Sequence, residues 1–410
     1  MYRYDNHDQT LVDERVAQFR DQMRRYLEGK ISEEEFLPIR VQNGLYVQRY
    51  APMLRIAIPY GMLASYQLRK LGELAARYDR GYGHFTTRTN LQLNWPKLED
   101  VPEMLAQLAS VQMHSIQTSG NDIRNTTTDQ FAGIAADEEV DPRPWCELIR
   151  QWSTFHPEFY YLPRKFKIAV TGAAEDRAAI QVHDIGLRLW RNDAGDVRVK
   201  VLVGGGLGRT PMIGETICED LPWQHLLTYL EAVLRVYNQF GRRDNKFKAR
   251  IKILTKALGI DEMRRRVEEE WAHLKDGAQT LNQQAIDDMA AHFVDPPRRK
   301  VDDAAIEAFE ALRQDNRAFA RFVTNNVTDH KVPGYKAVTL SLKRSGHSPG
   351  DVTSEQMAQI ADLADEYSFG ELRVTHEQNL VLSDVAVDRI EELWHKLEEL
   401  RLANPTVGTL

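Results

Sequence analysis

His84-Phe85-Thr86-Thr87-Arg88-Thr89-Asn90-Leu91-Gln92-Leu93 and Arg373-Val374-Thr375-His376-Glu377-Gln378-Asn379-Leu380-Val381-Leu382 align without a gap. Thr86/Thr375, Asn90/Asn379, Leu91/Leu380 and Leu93/Leu382 are identical. Downstream, Val101, Met104, Leu105 and Leu108 correspond to Ile390, Leu393, Trp394 and Leu397. Upstream, Leu71, Leu74 and Tyr78 correspond to Ile360, Leu363 and Tyr367. Similarity sustained over a helix–strand–helix length argues for duplication. Two copies are too few for a solenoid, so they are expected to pair into one pseudo-twofold domain. A groove between them would be a natural ligand site. The copies differ at Thr86-Thr87-Arg88 against Thr375-His376-Glu377, which predicts that the first copy keeps a charged task.

At 410 residues the chain is long enough for two or three cores. Its 42% hydrophobic and 28% charged content place it among ordinary globular proteins. A formal net charge of -7 gives no general reason to expect nucleic acid. No run approaches the ~20 apolar residues of a membrane span. Met1-Tyr2-Arg3-Tyr4-Asp5 lacks the apolar core of a signal peptide, so a cytoplasmic location is expected, with no membrane contact. The only cysteines, Cys146 and Cys218, form no Cys-x-x-Cys and read as small semi-buried hydrophobes. No histidine spacing suggests a dedicated metal site.

Periodicity predicts helices over 9–28, 64–78, 101–112, 145–155, 223–240 and 244–258. Strands are expected at 53–58, 83–93, 166–171, 178–191 and 197–203, and a polar loop at 121–130. Residues 261–293 are strongly charged, and Pro296-Pro297-Arg298-Arg299-Lys300 reads as an exposed linker. The order is copy one, a mixed α/β middle, then copy two over about 335–402.

Cations gather at four places: Arg55, Arg88, Arg124, and the run Arg164, Lys165, Lys167. On an extended segment Lys165 and Lys167 share a side, where they repel unless an anion or water screens them. A solvated sheet edge explains the same pattern. Arg55 interrupts an apolar strand and lies at an edge or faces an anion. Gly204-Gly205-Gly206-Leu207-Gly208 permits close backbone approach to a ligand but fits neither a Walker loop nor Gly-x-Gly-x-x-Gly. A tight turn is the simpler reading. The basic run from Gly241 to Lys252 fits nucleic acid or a polyanionic cofactor, with a solvated helix start the commoner explanation of such a run.

In combination these residues resemble the siroheme-dependent sulfite and nitrite reductases. The resemblance rests on Thr86 to Leu93, Asn121-Asp122-Ile123-Arg124-Asn125, Tyr161-Leu162-Pro163-Arg164-Lys165-Phe166-Lys167, Leu202 to Gly208, and Thr375 to Leu380, in that order along the chain. It implies an α+β fold: a pseudo-twofold, ferredoxin-like duplicated domain with an inserted mixed α/β siroheme-binding domain. The implied layout is an N-terminal helical extension (1–40), half-domain copy one (41–113), the siroheme and substrate domain (114–300) and copy two (301–410). The resemblance assigns Arg55, Arg124, Lys165 and Lys167 to the substrate anion. It assigns Thr86, Arg88, Gln92, Arg164, Gly205, Gly206, Arg250 and Lys252 to siroheme, whose carboxylates call for cations. Arg88 would face those carboxylates, whereas Glu377 in the second copy would repel them. Lys165 and Lys167 would donate protons as S–O bonds break, while Arg55 and Arg124 clamp the anion.

The implied activity is six-electron reduction of sulfite to sulfide, with reduction of nitrite to ammonia as the alternative. Lys167 favours sulfite. No flavin or nicotinamide fingerprint occurs, so electrons are expected from ferredoxin or a flavoprotein subunit. The family's four cluster-binding cysteines are missing, so the 4Fe-4S ligands are expected to be absent from this chain, which reads as an N-terminal portion. By itself it is expected to be inactive. A different class of reading is a non-catalytic anion-binding module.

Overall fold

The identical threonines and asparagines of the two repeats fold into the same turn. In the computed structural model, which describes residues 1–344 and 346–408, Thr86 Oγ1 accepts from Asn90 N at 3.1 Å. Thr375 Oγ1 accepts from Asn379 N at 3.0 Å. The backbone closes alike, Thr86 N to Asn90 O at 2.8 Å and Thr375 N to Asn379 O at 2.9 Å. The residue before each asparagine, Thr89 (φ 57°) or Gln378 (φ 66°), turns left-handed. Each asparagine side chain then accepts a backbone N–H from just beyond the end of a neighbouring strand, Ile58 to Asn90 and Leu342 to Asn379. The turn corrects one expectation: 83–93 is not one strand but a hairpin, Tyr82–Phe85 and Leu91–Leu93, bent at Thr86–Asn90.

Two compact units result. The first comprises residues 1–116, 134–136 and 294–410, and the second comprises 117–133 and 137–293. The first half of the chain carries β1 (Leu45–Val47), β2 (Pro52–Ile56), β3 (Met62–Ala64), β4 (Tyr82–Phe85) and β5 (Leu91–Leu93). The middle carries β6 (Thr127–Thr128), β7 (Ile168–Thr171), β8 (Ile185–Arg191), β9 (Val197–Val203) and β10 (Glu215–Pro222). The last part carries β11 (Val327–Asp329), β12 (Tyr335–Leu340), β13 (Asp351–Thr353), β14 (Glu371–Val374) and β15 (Leu380–Ala386).

The first unit has two five-stranded sheets, ordered β1-β2-β5-β4-β13 and β11-β12-β15-β14-β3. Each contains one strand of the other repeat. β13 pairs antiparallel with β4 (Asp351↔His84), and β3 pairs antiparallel with β14 (Arg373↔Met62). Glycines at the matching positions allow the exchange. A Cβ on Gly61 (φ +79°) would lie 2.7 Å from Val374 O, and one on Gly350 (φ +87°) would lie 2.6 Å from Phe85 O. The helices that follow, Ser65–Tyr78 and Ser354–Tyr367, are both 14 residues long. They pack closely enough that a Cβ on Gly72 would sit 3.2 Å from Met357 Cβ. The N-terminal helix Asn6–Leu27, started by an Asp5 capping box, adds Phe19 and Met23 to the same core.

The second unit holds a mixed sheet, β10-β9-β8-β7-β6, in which β6, β7 and β8 are parallel and β9 and β10 antiparallel. The helix Leu226–Phe240 is buried along most of its length. Two expectations shift here. Residues 178–184 form a 3-10 turn at Ile180–Val182 before β8, and the second helix begins only at Ile251. The fold is therefore α+β, with a pseudo-twofold pair and a mixed insertion. The stretch at Pro296 is not a free linker. The Arg298 side chain is 9% exposed and pairs with Asp384 at 2.7 Å and Asp295 at 3.2 Å. Burial alone would raise the Asp384 carboxyl. His330, Ser383 and Arg298 instead hold it well below the usual carboxylate range.

Candidate functional site

On the first unit, strand alternation sorts the side chains. Leu54, Ile56, Phe85, Leu91 and Leu93 are fully buried in the core. Arg55, His84 and Gln92 alternate with them and therefore line the opposite face. Register makes these three a row across β2, β5 and β4, because Arg55 and His84 each pair with Gln92. Arg55 donates to Gln92 Oε1 from Nε (3.0 Å) and Nη2 (2.6 Å), and its guanidinium carbon lies 5.4 Å from the Tyr46 ring centre. His84 Nδ1 meets the Asp351 carboxylate at 2.8 Å. Gln378 Nε2 donates to Phe85 O at 2.8 Å and lies 3.1 Å from His84 Nε2. That network assigns the His84 proton to Nδ1.

The matching face of the second sheet carries Arg373, Val381 and Thr339, all buried. The asymmetry between repeats thus extends beyond the turn: the first sheet's face is half-open and polar, the second's is closed. Arg88 sits at the first turn, half-buried, with its N–H donated to Thr86 Oγ1 at 3.3 Å.

On the second unit, backbone hydrogen bonds lay the predicted motifs side by side. Leu162 N bonds Asn121 O, Phe166 N bonds Asp122 O, and Arg124 N bonds Phe166 O, all at 2.8–2.9 Å. Phe166 is fully buried, and the half-buried Lys165 and Lys167 flank it. They flank a single bridge residue, Ile123↔Phe166, rather than standing in a regular strand. Arg164 Nη1 reaches Asn121 Oδ1 at 3.4 Å.

Below Lys167 lies a residue that the sequence did not single out. Asp184 is completely buried, and its Oδ2 accepts Lys167 N at 2.9 Å. Its Oδ1 accepts Arg250 Nε at 2.8 Å and Nη2 at 2.7 Å. Its own carbonyl accepts Gly204 N at 3.0 Å. Asp184 therefore ties the lysine segment to the basic segment through its carboxylate, and holds the glycine turn through its backbone carbonyl. No local pattern marks it, because its partners are remote in sequence.

The glycine turn is held close. A Cβ on Gly205 would fall 2.4 Å from Gln181 O, and one on Gly206 would fall 3.2 Å from Lys252 Cδ and 3.3 Å from Arg250 Nη2. Lys252 Nζ donates to Leu207 O (3.1 Å) and Thr210 O (2.6 Å). Burial and the neighbouring Arg250 hold its ammonium below the ordinary lysine range.

Arg124 is turned into its own loop, donating to Thr118 O at 2.8 Å and Gly120 O at 2.7 Å. Its Nε lies 3.2 Å from the Asp122 carboxylate. Burial pushes the Asp122 carboxyl up to about 7 against the pull of Arg124. Burial likewise raises the thiols of Cys146 and Cys218. Among the described residues no group of three or more His, Cys, Asp or Glu is placed to hold a metal ion. Among the same residues no helix is long and apolar enough to cross a membrane.

Sequence profiles of two families match this chain. Residues 119–275 match the family described as the nitrite and sulphite reductase 4Fe-4S domain. Residues 47–111 and 331–400 match the nitrite/sulfite reductase ferredoxin-like half domain. The ferredoxin sulfite reductase 1 of Mycolicibacterium paratuberculosis is 28% identical over 352 residues, covering 85% of this chain and 56% of that protein. The chloroplastic ferredoxin–nitrite reductase of Arabidopsis thaliana is 29% identical, covering 83% and 53%. The ferredoxin–nitrite reductase of Synechococcus elongatus is 31% identical, covering 81% and 59%. The chain thus spans a little over half the length of these relatives. The solved structure of the Mycobacterium tuberculosis NirA protein superposes with a TM-score of 0.71 at 24% identity, over 91% of this chain and 64% of that one, which establishes a shared fold.

Proposed function

This chain belongs to the siroheme-dependent nitrite and sulfite reductase family, and from that premise we propose that it forms the anion- and tetrapyrrole-binding part of an enzyme that reduces sulfite to sulfide. The observation that carries the reading is the convergence on Asp184: one buried residue gathers the lysine segment and Arg250 through its carboxylate and the glycine turn through its carbonyl. Such an arrangement fixes cations before any ligand arrives, as electrostatic binding of an anion requires.

The residues fit siroheme. A side chain at Gly205 would collide with the Gln181 carbonyl and one at Gly206 would press on Lys252 and Arg250, so the turn runs as bare backbone beside two cations, a setting suited to a flat ring edged with carboxylates. Arg164, Arg250, Lys252 and the turn glycines would hold it on the second unit; Thr86, Arg88 and Gln92 are the first unit's candidates. When bound, siroheme supplies the electron-transfer chemistry and an iron site for the substrate.

The iron–sulfur cluster does not fit the cysteines present. A cluster needs four thiolates, whereas this chain has two cysteines, one fully buried and both with raised thiol pKa values. No step is therefore assigned to a cluster here. In the proposed mechanism Arg124 grips the anion, and Lys165 and Lys167 hold protons at their Nζ atoms for the departing oxygens. On the first unit, Arg55 is proposed for anion contact. Ferredoxin is the proposed donor, by the names of the relatives, with a flavoprotein as the alternative.

Nitrite is the second reading, favoured by relatives that carry that activity in their names. Co-expression with siroheme synthesis is expected to give a strong Soret band, and a colourless protein would defeat the proposal. In the enzyme carrying this chain, Lys167→Ala should lower sulfite turnover by about a hundredfold or more with siroheme content unchanged. Near-normal turnover would remove Lys167 from the mechanism. Lys167→Gln should raise the ratio of nitrite to sulfite turnover if the residue selects sulfite.

A further inference from the structure

We propose that Asp122 is a positioning residue that couples anion capture by Arg124 to the uptake of one proton. The inference rests on the reading of Arg124 as an anion-gripping residue, and it concerns what that arginine must give up. Its three nitrogens are engaged within its own loop, by Thr118 O, Gly120 O and the Asp122 carboxylate. Asp122 is only 5% exposed, and its Oδ1 has no hydrogen bond beyond that ion-pair contact. A buried carboxylate in this state is poorly compensated.

Ionised, Asp122 neutralises the guanidinium and repels an arriving anion across a medium that screens weakly. Protonated, it leaves Arg124 with its full charge. The proton comes from solvent and stays on the carboxyl, and no other bond changes. Coupling of this kind is reciprocal: the proton favours the anion, and the anion favours the proton.

The surroundings point the same way. Within the loop, Thr118, Ser119, Gly120, Asn121 and Ile123 bear no charge. The segment paired against it carries Arg164, Lys165 and Lys167, and beyond Lys167 the buried acid Asp184 is already matched with Arg250. Its ion-pair partner Arg124 favours the ionised form of Asp122 while no anion is present. A bound anion cancels that field, and the carboxyl then takes its proton. Its range, near neutrality, lets this occur at ordinary pH.

Nitrite is the probe, because its own charge does not change between about pH 6 and pH 9, whereas sulfite titrates there. Calorimetry on the full chain, in buffers of different ionisation enthalpy, should show uptake of close to one proton per nitrite at about pH 8. Affinity should fall about tenfold per pH unit above neutrality. Asp122→Asn should abolish the uptake, flatten the pH dependence and bind more tightly than the parent at high pH. Infrared spectra of the unaltered protein should show a buried, protonated carboxyl band growing as nitrite binds, which decides the matter even if the variant fails to fold. Binding without proton uptake, or an unchanged pH slope in Asp122→Asn, overturns this inference and leaves the site reading intact. Absence of nitrite binding at every pH overturns the reading of Arg124 and the inference with it.

Discussion

Asp184→Ala is expected to destabilise the second unit by about 3–5 kcal/mol, the usual result of removing one partner from a buried ion pair. Arg250, 15% exposed, would keep its charge without the carboxylate that receives two of its nitrogens. Lys167 N would lose its acceptor as well. For a unit of this size such a loss corresponds to a fall in melting temperature of roughly 6–20 °C. Asp184→Asn keeps the shape and an acceptor oxygen but removes the charge, so it should show a smaller drop. Thermal unfolding followed by circular dichroism measures both. A shift under about 2 °C in Asp184→Ala would mean that the buried pair does not organise the site. Siroheme content provides a second readout, since loss of the carboxylate frees the Lys167 segment and Arg250 from each other, while the Gly204 N bond to the backbone carbonyl remains.

Separating the two repeats should abolish folding of both. Residues 1–116 expressed alone would lack β13, leaving β4 as an open edge, and would leave β3 with no sheet to join. The helix Ser65–Tyr78 would lose the partner helix Ser354–Tyr367 that covers its apolar face. Leu68, Leu71 and Leu74, all fully buried in the intact chain, then lose part of their cover, at a cost of up to about 1.5–3 kcal/mol each. That total is comparable with the whole stability of an ordinary domain. The expected amide spectrum of 1–116 is collapsed and without a cooperative melt, and that of 294–410 likewise. Co-expression of the two pieces should restore dispersion. A well-dispersed spectrum from 1–116 alone would show that the exchanged strands are not required.

The two predictions differ in how far the sequence foreshadows them. The repeat is visible because the same local problem is solved twice with the same residues. Thr86 and Asn90 close a turn through bonds spanning four residues, and Thr375 and Asn379 repeat it. The strand exchange is invisible in sequence. β13 and β3 are three residues each and look like ordinary lead-ins to the helices that follow them. Only Gly61 and Gly350 hint at it, each meeting a carbonyl of the opposite repeat.

The candidate site divides in the same manner. Residue type and order were enough to nominate Arg55, Arg88, Arg124, Arg164, Lys165, Lys167, Gly205, Gly206, Arg250 and Lys252, because clustered cations and glycines are conspicuous in a chain of net charge -7. What each cation is bound to depends on partners that sequence does not reveal. Arg55 is held by Gln92, 37 positions away, and Arg250 by Asp184, 66 positions away. Arg124 is turned into its own loop by groups only two to six positions away, yet the backbone path that brings them within reach is set by pairing with Phe166. The sequence by itself determined the duplication and the inventory of charges, since these follow from local periodicity and composition, and it pointed to the fold class through the family its motifs resemble. The tertiary structure alone decided the exchange of strands and the engagement of each charge, since burial and ion pairing are properties of neighbours in space.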